Sequence, residues 1–301
     1  MTAARLAVAE ATASLASRGV VSARFEADAL VCHILGVDHH ERLIRDPDLD
    51  QDQLDRLAEL VARRGGGEPL QHLLGRAFFR TIEARVGPGV FIPRPETELL
   101  AGWAIDQIQA GSMSVVELCA GSGAISLAIA AESSPASQWA VERDPVAYDY
   151  LLANLGGSRV VPVLSDMAQA LPELDGTVEV VVANPPYVPQ SACADLPVEV
   201  SWDPADAVFS GEDGLDATRV VAKVAARLLV PGGVLGSEHG DDQSEAVTQI
   251  FHQAGLVDVV SHRDLTGRPR FVTARRPDQA RRDQTDPAPN GVDQKPPINL
   301  A

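Results

Sequence analysis

Basic side chains are scarce: 25 lysines and arginines stand against 42 aspartates and glutamates, a formal net charge of −17. That balance argues against a protein that coats a nucleic-acid backbone, which needs a basic face, and it suits a basic partner or a cationic cofactor. Cysteine is nearly absent. Cys32, Cys119 and Cys193 lie far apart with no paired spacing, which speaks against a disulfide framework or a zinc site and for a reducing, cytoplasmic setting. No apolar run approaches the length needed to cross a bilayer, so no membrane partner is expected. The Ala-rich start, Thr2 to Ala9, is interrupted at Glu10, so a signal-peptide core is not expected either.

What is present is enough apolar material, 45% of 301 residues, for one large domain and a small one. In residues 4–63, Leu6, Ala9, Ala13 and Ala16 recur at helical spacing, as do Ala27, Leu30, Val31 and Ile34, then Leu54, Leu57 and Val61. The spacing predicts a small all-helical N-terminal domain, residues 1–75. Arg63-Arg64-Gly65-Gly66-Gly67 reads as a flexible break near its end. His33, His39 and His40 have no second ligand pair and read as packing or solvated residues. Residues 76–92 alternate weakly and predict a hairpin linker. From 114 onward strands and helices alternate: strands at 114–119, 138–142, 160–164, 178–183, 233–238, 257–262 and 270–274, helices at 122–131, 145–155, 216–229 and 243–253. Regular alternation of this kind predicts an α/β fold, a doubly wound, mainly parallel seven-stranded sheet, within a second domain at 93–276. The tail, 277–301, is rich in Asp, Gln, Pro and Arg, has little to bury, and is expected to be disordered.

The most informative stretch is Val178-Glu179-Val180-Val181-Val182-Ala183-Asn184-Pro185-Pro186-Tyr187. A β-branched run predicts a buried parallel strand, and two prolines end it because they cannot donate to a ladder. Ligands in open α/β sheets bind beyond the carboxyl ends of strands. There, the Asn184 side-chain carbonyl and the Pro185 main-chain carbonyl are two acceptors able to grip both hydrogens of a planar NH2 group. Pro186 stiffens the turn and Tyr187 offers a ring face to lie against that group. A strand-ending turn with a tyrosine plugging the core accounts for the same residues, and the motif alone does not separate the two.

A second strand ends Glu117-Leu118-Cys119-Ala120-Gly121-Ser122-Gly123. Glycines between a strand and a helix let the backbone approach a ligand. Glu142 ends the following strand about 20 residues on, the position that grips ribose hydroxyls in nucleoside cofactors. Asp166 and Met167 follow the third strand, where an adenine would lie; Asp166 is placed to accept from its amine and Met167 to cover its ring, although Met167 also reads as core. The loop does not by itself separate NAD from S-adenosylmethionine.

Taken together, the glycine loop, the strand-end acid and Asn-Pro-Pro-Tyr resemble a class I S-adenosylmethionine-dependent methyltransferase acting on a planar nitrogen. Within that group the chain resembles the peptide chain release factor glutamine methyltransferases, the HemK-like family. The matching pieces are Glu68 to Gly75, Ile92-Pro93-Arg94-Pro95-Glu96-Thr97-Glu98, Asn184 to Tyr187, Gly211 to Leu215 and Asp264 to Arg268. The resemblance implies a Rossmann-like fold, S-adenosyl-L-methionine as cofactor, and methylation of the glutamine side-chain nitrogen in the Gly-Gly-Gln loop of class I release factors, with no nucleic acid bound directly. It makes Asn184, Pro185 and Tyr187 the catalytic set, with Pro186 beside the substrate. Glu117, Cys119, Ala120, Gly121, Ser122, Gly123, Glu142, Asp166, Met167 and Asn184 become the cofactor set. The chain departs from the family at Glu117, where Asp is usual, at Cys119-Ala120, where Gly-Thr is usual, and at Asp203-Pro204, where Glu-Pro is frequent. His239, near a strand end, reads as structural. Rival expectations are an adenine-N6 methyltransferase on DNA or RNA, a non-catalytic scaffold, and an NAD oxidoreductase that leaves the Asn184 clamp unexplained.

Overall fold

Helices Ala4–Ser17, Ala23–Leu35, His39–Arg45, Gln51–Gly65 and Leu70–Leu74 pack around Leu15, Leu30, Val31, Leu49, Leu57 and Leu73. The computed structural model from which this arrangement is taken describes residues 1–278. Helix 51–65 begins at a capping box in which Asp50 accepts from the Gln53 N–H and Gln53 accepts from the Asp50 N–H, satisfying two orphan donors reciprocally. A two-residue antiparallel pair, Thr2–Ala3 with Asp48–Leu49, ties the start of the chain to this unit; its length gives no periodicity to detect.

The expected flexible break at 63–67 is not what the chain forms. Arg63, Arg64 and Gly65 are the last residues of helix 51–65. Arg63 makes two hydrogen bonds to the Glu68 carboxylate, of 2.8 and 2.6 Å. Arg64 is buried and pairs with Glu26 of helix 23–35 and with Glu199 far along the chain. A rigid guanidinium fork serves several acceptors at once, which suits Arg to such a node. Its partners lie 38 and 135 residues away, so local composition carried only the glycines.

The hairpin Arg76–Phe79 and Ile82–Arg85 is packed firmly. Phe79 is buried with Leu100 and Ile105, Arg80 pairs with Glu132, and the Arg85 N–H donates to Asn154 at 2.7 Å.

The remaining strands are β1 Ser114–Leu118, β2 Ser137–Glu142, β3 Val161–Leu164, β4 Val178–Ala183, β5 Leu229–Glu238, β6 Val257–Arg263 and β7 Pro269–Arg275. They form one seven-stranded sheet in the order β6-β7-β5-β4-β1-β2-β3. β1 to β5 run parallel and β7 is antiparallel to both neighbours. Helices cover both faces, as a parallel sheet requires. Val180 and Val182 of β4 pack with Leu100, Ile105, Ile125 and Ile129 on one face. Val181 and Ala183 pack with Val221, Leu228, Val247 and Phe251 on the other. Full burial of one such aliphatic side chain contributes about 1.5–3 kcal/mol.

The first expected helix of the sheet starts late, at Ala124 instead of 122, because Gly123 occupies the left-handed region at φ 78° ahead of it. The expected tail falls, from 279 onward, outside the described residues.

Glu26→Ala would leave the buried Arg64 guanidinium with Glu199 as its carboxylate partner and the Glu68 carbonyl beside it. Removing one partner of a buried pair costs about 3–5 kcal/mol. With Glu199 retained, urea unfolding should show a loss at the low end, about 3 kcal/mol, with an unchanged denaturant slope. A loss below about 1 kcal/mol would show that the node adds no more than a surface ion pair.

Candidate functional site

Strand order reverses between β1 and β4: from β1 the chain moves outward to β2 and β3, then returns through β4 to the other side. Register pairs Leu118 with Ala183, so Cys119 and Asn184 leave the sheet next to each other. The crevice at such a switch point is where open α/β sheets bind ligands. Here it is a cavity of about 350 Å³. Of the expected site residues, Glu117, Cys119, Ala120, Gly121, Ser122, Glu142, Asp166, Met167, Asn184, Pro185, Pro186 and Tyr187 line it, and Gly123 does not. A Cβ on Gly123 would lie 2.5 Å from Leu151, and its φ is positive. It shapes the loop from behind the wall.

The loop after β1 is tightly wound. Cys119 has φ 57° and Gly121 φ 54°. The left-handed region costs a non-glycine residue about 1–2 kcal/mol, a cost Cys119 bears where glycine is usual. Its Sγ lies 3.6 Å from Met167 Sδ, and burial pushes its thiol up to about 12. Met167 both faces the cavity and packs on the core, so the two readings of that residue coexist.

Glu142 is heavily engaged. One carboxylate oxygen accepts from the N–H groups of Arg143 and Asp144 at 2.7 and 2.8 Å, the other from Gly121 at 2.7 Å. A carboxylate has about four acceptor positions, so one remains, room for a single hydroxyl unless an N–H gives way. Glu117 accepts from the Ser126 N–H at 2.9 Å, filling an orphan donor at the start of helix 124–132.

Asn184 donates from Nδ2 to Thr97 Oγ1 at 3.2 Å. Among the described residues no donor meets its Oδ1 or the Pro185 carbonyl, and both residues line the cavity. The Tyr187 hydroxyl donates to Glu238 at 3.3 Å, and the Tyr187 carbonyl accepts from Gln243 at 2.8 Å. A Cβ on Gly214 would sit 2.3 Å from that carbonyl, at a positive φ; only glycine lets the 211–215 turn come so close. His239 is buried, with Nδ1 against the Gly240 carbonyl at 2.6 Å, and stays out of the cavity.

Several contributors escaped the reading of single motifs. Phe91, Arg94 and Thr97 line the cavity, and so do Leu196, Val200, Pro204 and Val208, on a strap from 196 to 208. Asp203 pins that strap, accepting from the Ile92 N–H at 3.1 Å and pairing with Arg94. The Arg94 guanidinium in turn lies 5.1 Å from the centre of the Phe91 ring. The Pro93–Glu98 segment was a signal for these contacts, although nothing local to Asp203 pointed back to it.

Burial pushes the Glu117 carboxyl up to about 8. The unfolded chain ionises this group near 4.5, while the fold keeps it protonated well above that value. Its contribution to stability is therefore complete below about 4.5 and lost as pH rises through about 8. Thermal melting should fall across this window, and Glu117→Gln should flatten the fall. Parallel curves for parent and variant would mean that Glu117 ionises normally in the fold.

Residues 7–75 match a family model described as the PrmC N-terminal domain. A release factor glutamine methyltransferase of Streptomyces coelicolor is 47% identical over 274 residues, covering 89% of this chain and 96% of its own. One of Mycolicibacterium smegmatis is 44% identical over 279 residues, covering 92% and 99%. The 4-amino-L-phenylalanine/4-methylamino-L-phenylalanine methyltransferase of Streptomyces pristinaespiralis is 37% identical over 206 residues, covering 66% of this chain and 70% of its own. With near-complete coverage at this identity, the chain belongs to the family of release factor glutamine methyltransferases.

Proposed function

We propose that this protein transfers a methyl group from S-adenosyl-L-methionine to the side-chain amide nitrogen of the glutamine in the Gly-Gly-Gln loop of class I peptide chain release factors. One observation carries the chemistry: Asn184 Oδ1 and the Pro185 carbonyl are acceptors of consecutive residues, unused by any described residue, and both residues line a ligand-sized cavity. A glutamine amide nitrogen is a poor nucleophile because its lone pair is delocalised. Gripping both of its hydrogens fixes the plane of the group and aims the nitrogen into the cavity, so positioning supplies most of the catalysis. The Tyr187 ring, held through its hydroxyl and its carbonyl, limits where that plane can lie.

The residues present fit the cofactor. Gly121 and Ser122 bring backbone to the cavity, the open position on Glu142 suits a ribose hydroxyl, and Met167 and Ile125 offer apolar walls for an adenine beside Asp166. Glu117 lines the same cavity and is a latent anion for a cationic ligand. Bound there, S-adenosylmethionine supplies the electrophilic sulfonium methyl.

The helical unit, residues 1–75, is assigned to recognition of the protein substrate, with 76–92 as its linker and 93–276 as the catalytic domain. It exposes large apolar side chains at Val21, Phe25, Leu43 and Ile44, and Arg64 joins it to the cavity strap through Glu199. The acidic net charge favours a protein substrate over a nucleic acid. No described helix is long and apolar enough to cross a membrane, which is compatible with a cytoplasmic site of action.

Mass spectrometry of release factor peptides after incubation with the protein and S-adenosylmethionine should show one added methyl on the Gly-Gly-Gln glutamine, while DNA and RNA stay unlabelled. Asn184→Ala removes one preorganised contact, which typically costs about 10²–10³ in turnover. Asn184→Asp, which keeps an acceptor, should fall between that variant and the parent. Calorimetry should find both variants binding cofactor within a few-fold of the parent. Near-parental single-turnover methylation by Asn184→Ala would leave Asn184 a strand-ending turn residue.

A further inference from the structure

Beneath the acceptor pair lies a buried acid that the chemistry above does not use. Glu238, the last residue of β5, is 1% exposed. Its Oε1 accepts from the Tyr187 hydroxyl at 3.3 Å, and the Thr97 hydroxyl faces the same carboxylate, favouring its charged form. Its Oε2 is buried with no hydrogen-bond partner among the described residues, so the carboxylate has an acceptor position open to the Thr97 hydroxyl. Thr97 is the first residue of helix 97–109, 4% exposed, and its Oγ1 accepts from Asn184 Nδ2.

The direction of this chain follows from the chemistry of its ends. An ionised carboxylate only accepts, so the Thr97 proton points toward Glu238. That leaves a Thr97 lone pair facing Asn184, which only the Asn184 NH2 can fill. The Asn184 carbonyl is thereby turned away, toward the cavity. A protonated Glu238 can donate instead, which frees the Thr97 proton to face Asn184 and rewards the flipped amide. The flipped amide would present two donors to a substrate that also brings donors.

Resting on the acceptor-pair reading of Asn184, we propose that Glu238 is a positioning residue: acting through Thr97 it fixes which face of the Asn184 amide meets the substrate, and through the Tyr187 hydroxyl it holds the ring beside it. The charged groups around Glu238 are Arg270 from β7, which favours ionisation, and Glu96 ahead of helix 97–109, which opposes it. Tyr187 stays protonated, its hydroxyl pushed up by burial, and burial likewise disfavours a charged His239 next in the chain. With burial dominant, Glu238 ionises at about 7. The working chain is therefore completed as pH rises through neutrality.

The test is single-turnover methylation of a full-length release factor by the parent and by Glu238→Gln, Thr97→Val, Thr97→Ser and Asn184→Ala, with S-adenosylmethionine affinity measured in parallel. Misdirected positioning of this kind typically costs about 10- to 100-fold in rate. Glu238→Gln and Thr97→Val should each lose that much at saturating substrate, with cofactor affinity within a few-fold of the parent. Thr97→Ser, which keeps the hydroxyl, should recover most of the rate. The Glu238→Gln, Thr97→Val double variant should be no worse than either single one. The parental rate should climb between pH 6 and 8, in line with ionisation at about 7, and Glu238→Gln should lack that limb. Parental rates in both single variants alongside a crippled Asn184→Ala would overturn the proposal and spare the acceptor pair. A fully active Asn184→Ala would overturn the acceptor pair itself. If Glu238→Gln does not fold, the Thr97 pair decides: equal losses in Val and Ser, or loss of cofactor binding with the rate, assign these residues to general packing and overturn the proposal.

Discussion

Everything at the site depends on one constraint of sheet topology. β1 and β4 are hydrogen-bonded neighbours, yet their chains depart toward opposite halves of the sheet. No crossover covers the space above their carboxyl ends, so a crevice must form there. The Leu118–Ala183 register then decides which residues meet in it. A slip of one residue would turn every β4 side chain to the other face and carry Asn184 out of line with Cys119, so the site depends on the observed register. The glycine loop and the Asn-Pro-Pro turn are thus juxtaposed by the pairing of the strand residues just before them.

Around that crevice the fold gathers acids and gives them different tasks. Glu142 spends three acceptor positions on backbone N–H groups and serves as a brace for the loop it faces. Glu117 and Glu238 are buried deeply enough to hold protons near neutrality, at about 8 and about 7. Buried carboxyls are costly as anions unless paired, and only Glu238 has a guanidinium nearby, that of Arg270. A cavity with latent negative charge in its wall favours a cation. Glu117 also reaches the Ser126 N–H at 2.9 Å, which ties this acid to the start of helix 124–132.

The fold was legible because buried parallel strands and amphipathic helices leave unambiguous local patterns, and both 178–183 and 216–229 carried one. The cavity lining was legible where it falls on consecutive or motif residues: 117, 119–122, 142, 166–167 and 184–187. It was illegible where it depends on pairs. Asn184 meets Thr97 across 87 positions, Ile92 meets Asp203 across 111, and Arg64 meets Glu199 across 135. No periodicity connects such residues. Helix ends fared worse: Gly123 takes a positive φ and stays in the turn, with the space a Cβ would need occupied by Leu151, a contact the sequence around 123 does not contain.

The same long-range pairs make the two units one device. The strap from 196 to 208 lines the cavity and is held at two points: by Arg94 and the Ile92 N–H through Asp203, and by Arg64 through Glu199. Val198 also fits against Gly67, where a Cβ would come within 2.9 Å of it. Arg64 is anchored within the helical unit by Glu26 and by the Glu68 carbonyl at 3.2 Å. A force on the helical unit therefore reaches the strap through a charge-assisted contact, the strong kind of hydrogen bond, in which Arg64 is buried and Glu199 half-exposed, and the strap cannot shift without disturbing the cavity lining. The helical unit is thereby joined to a segment that lines the cavity, so a displacement of one is felt by the other.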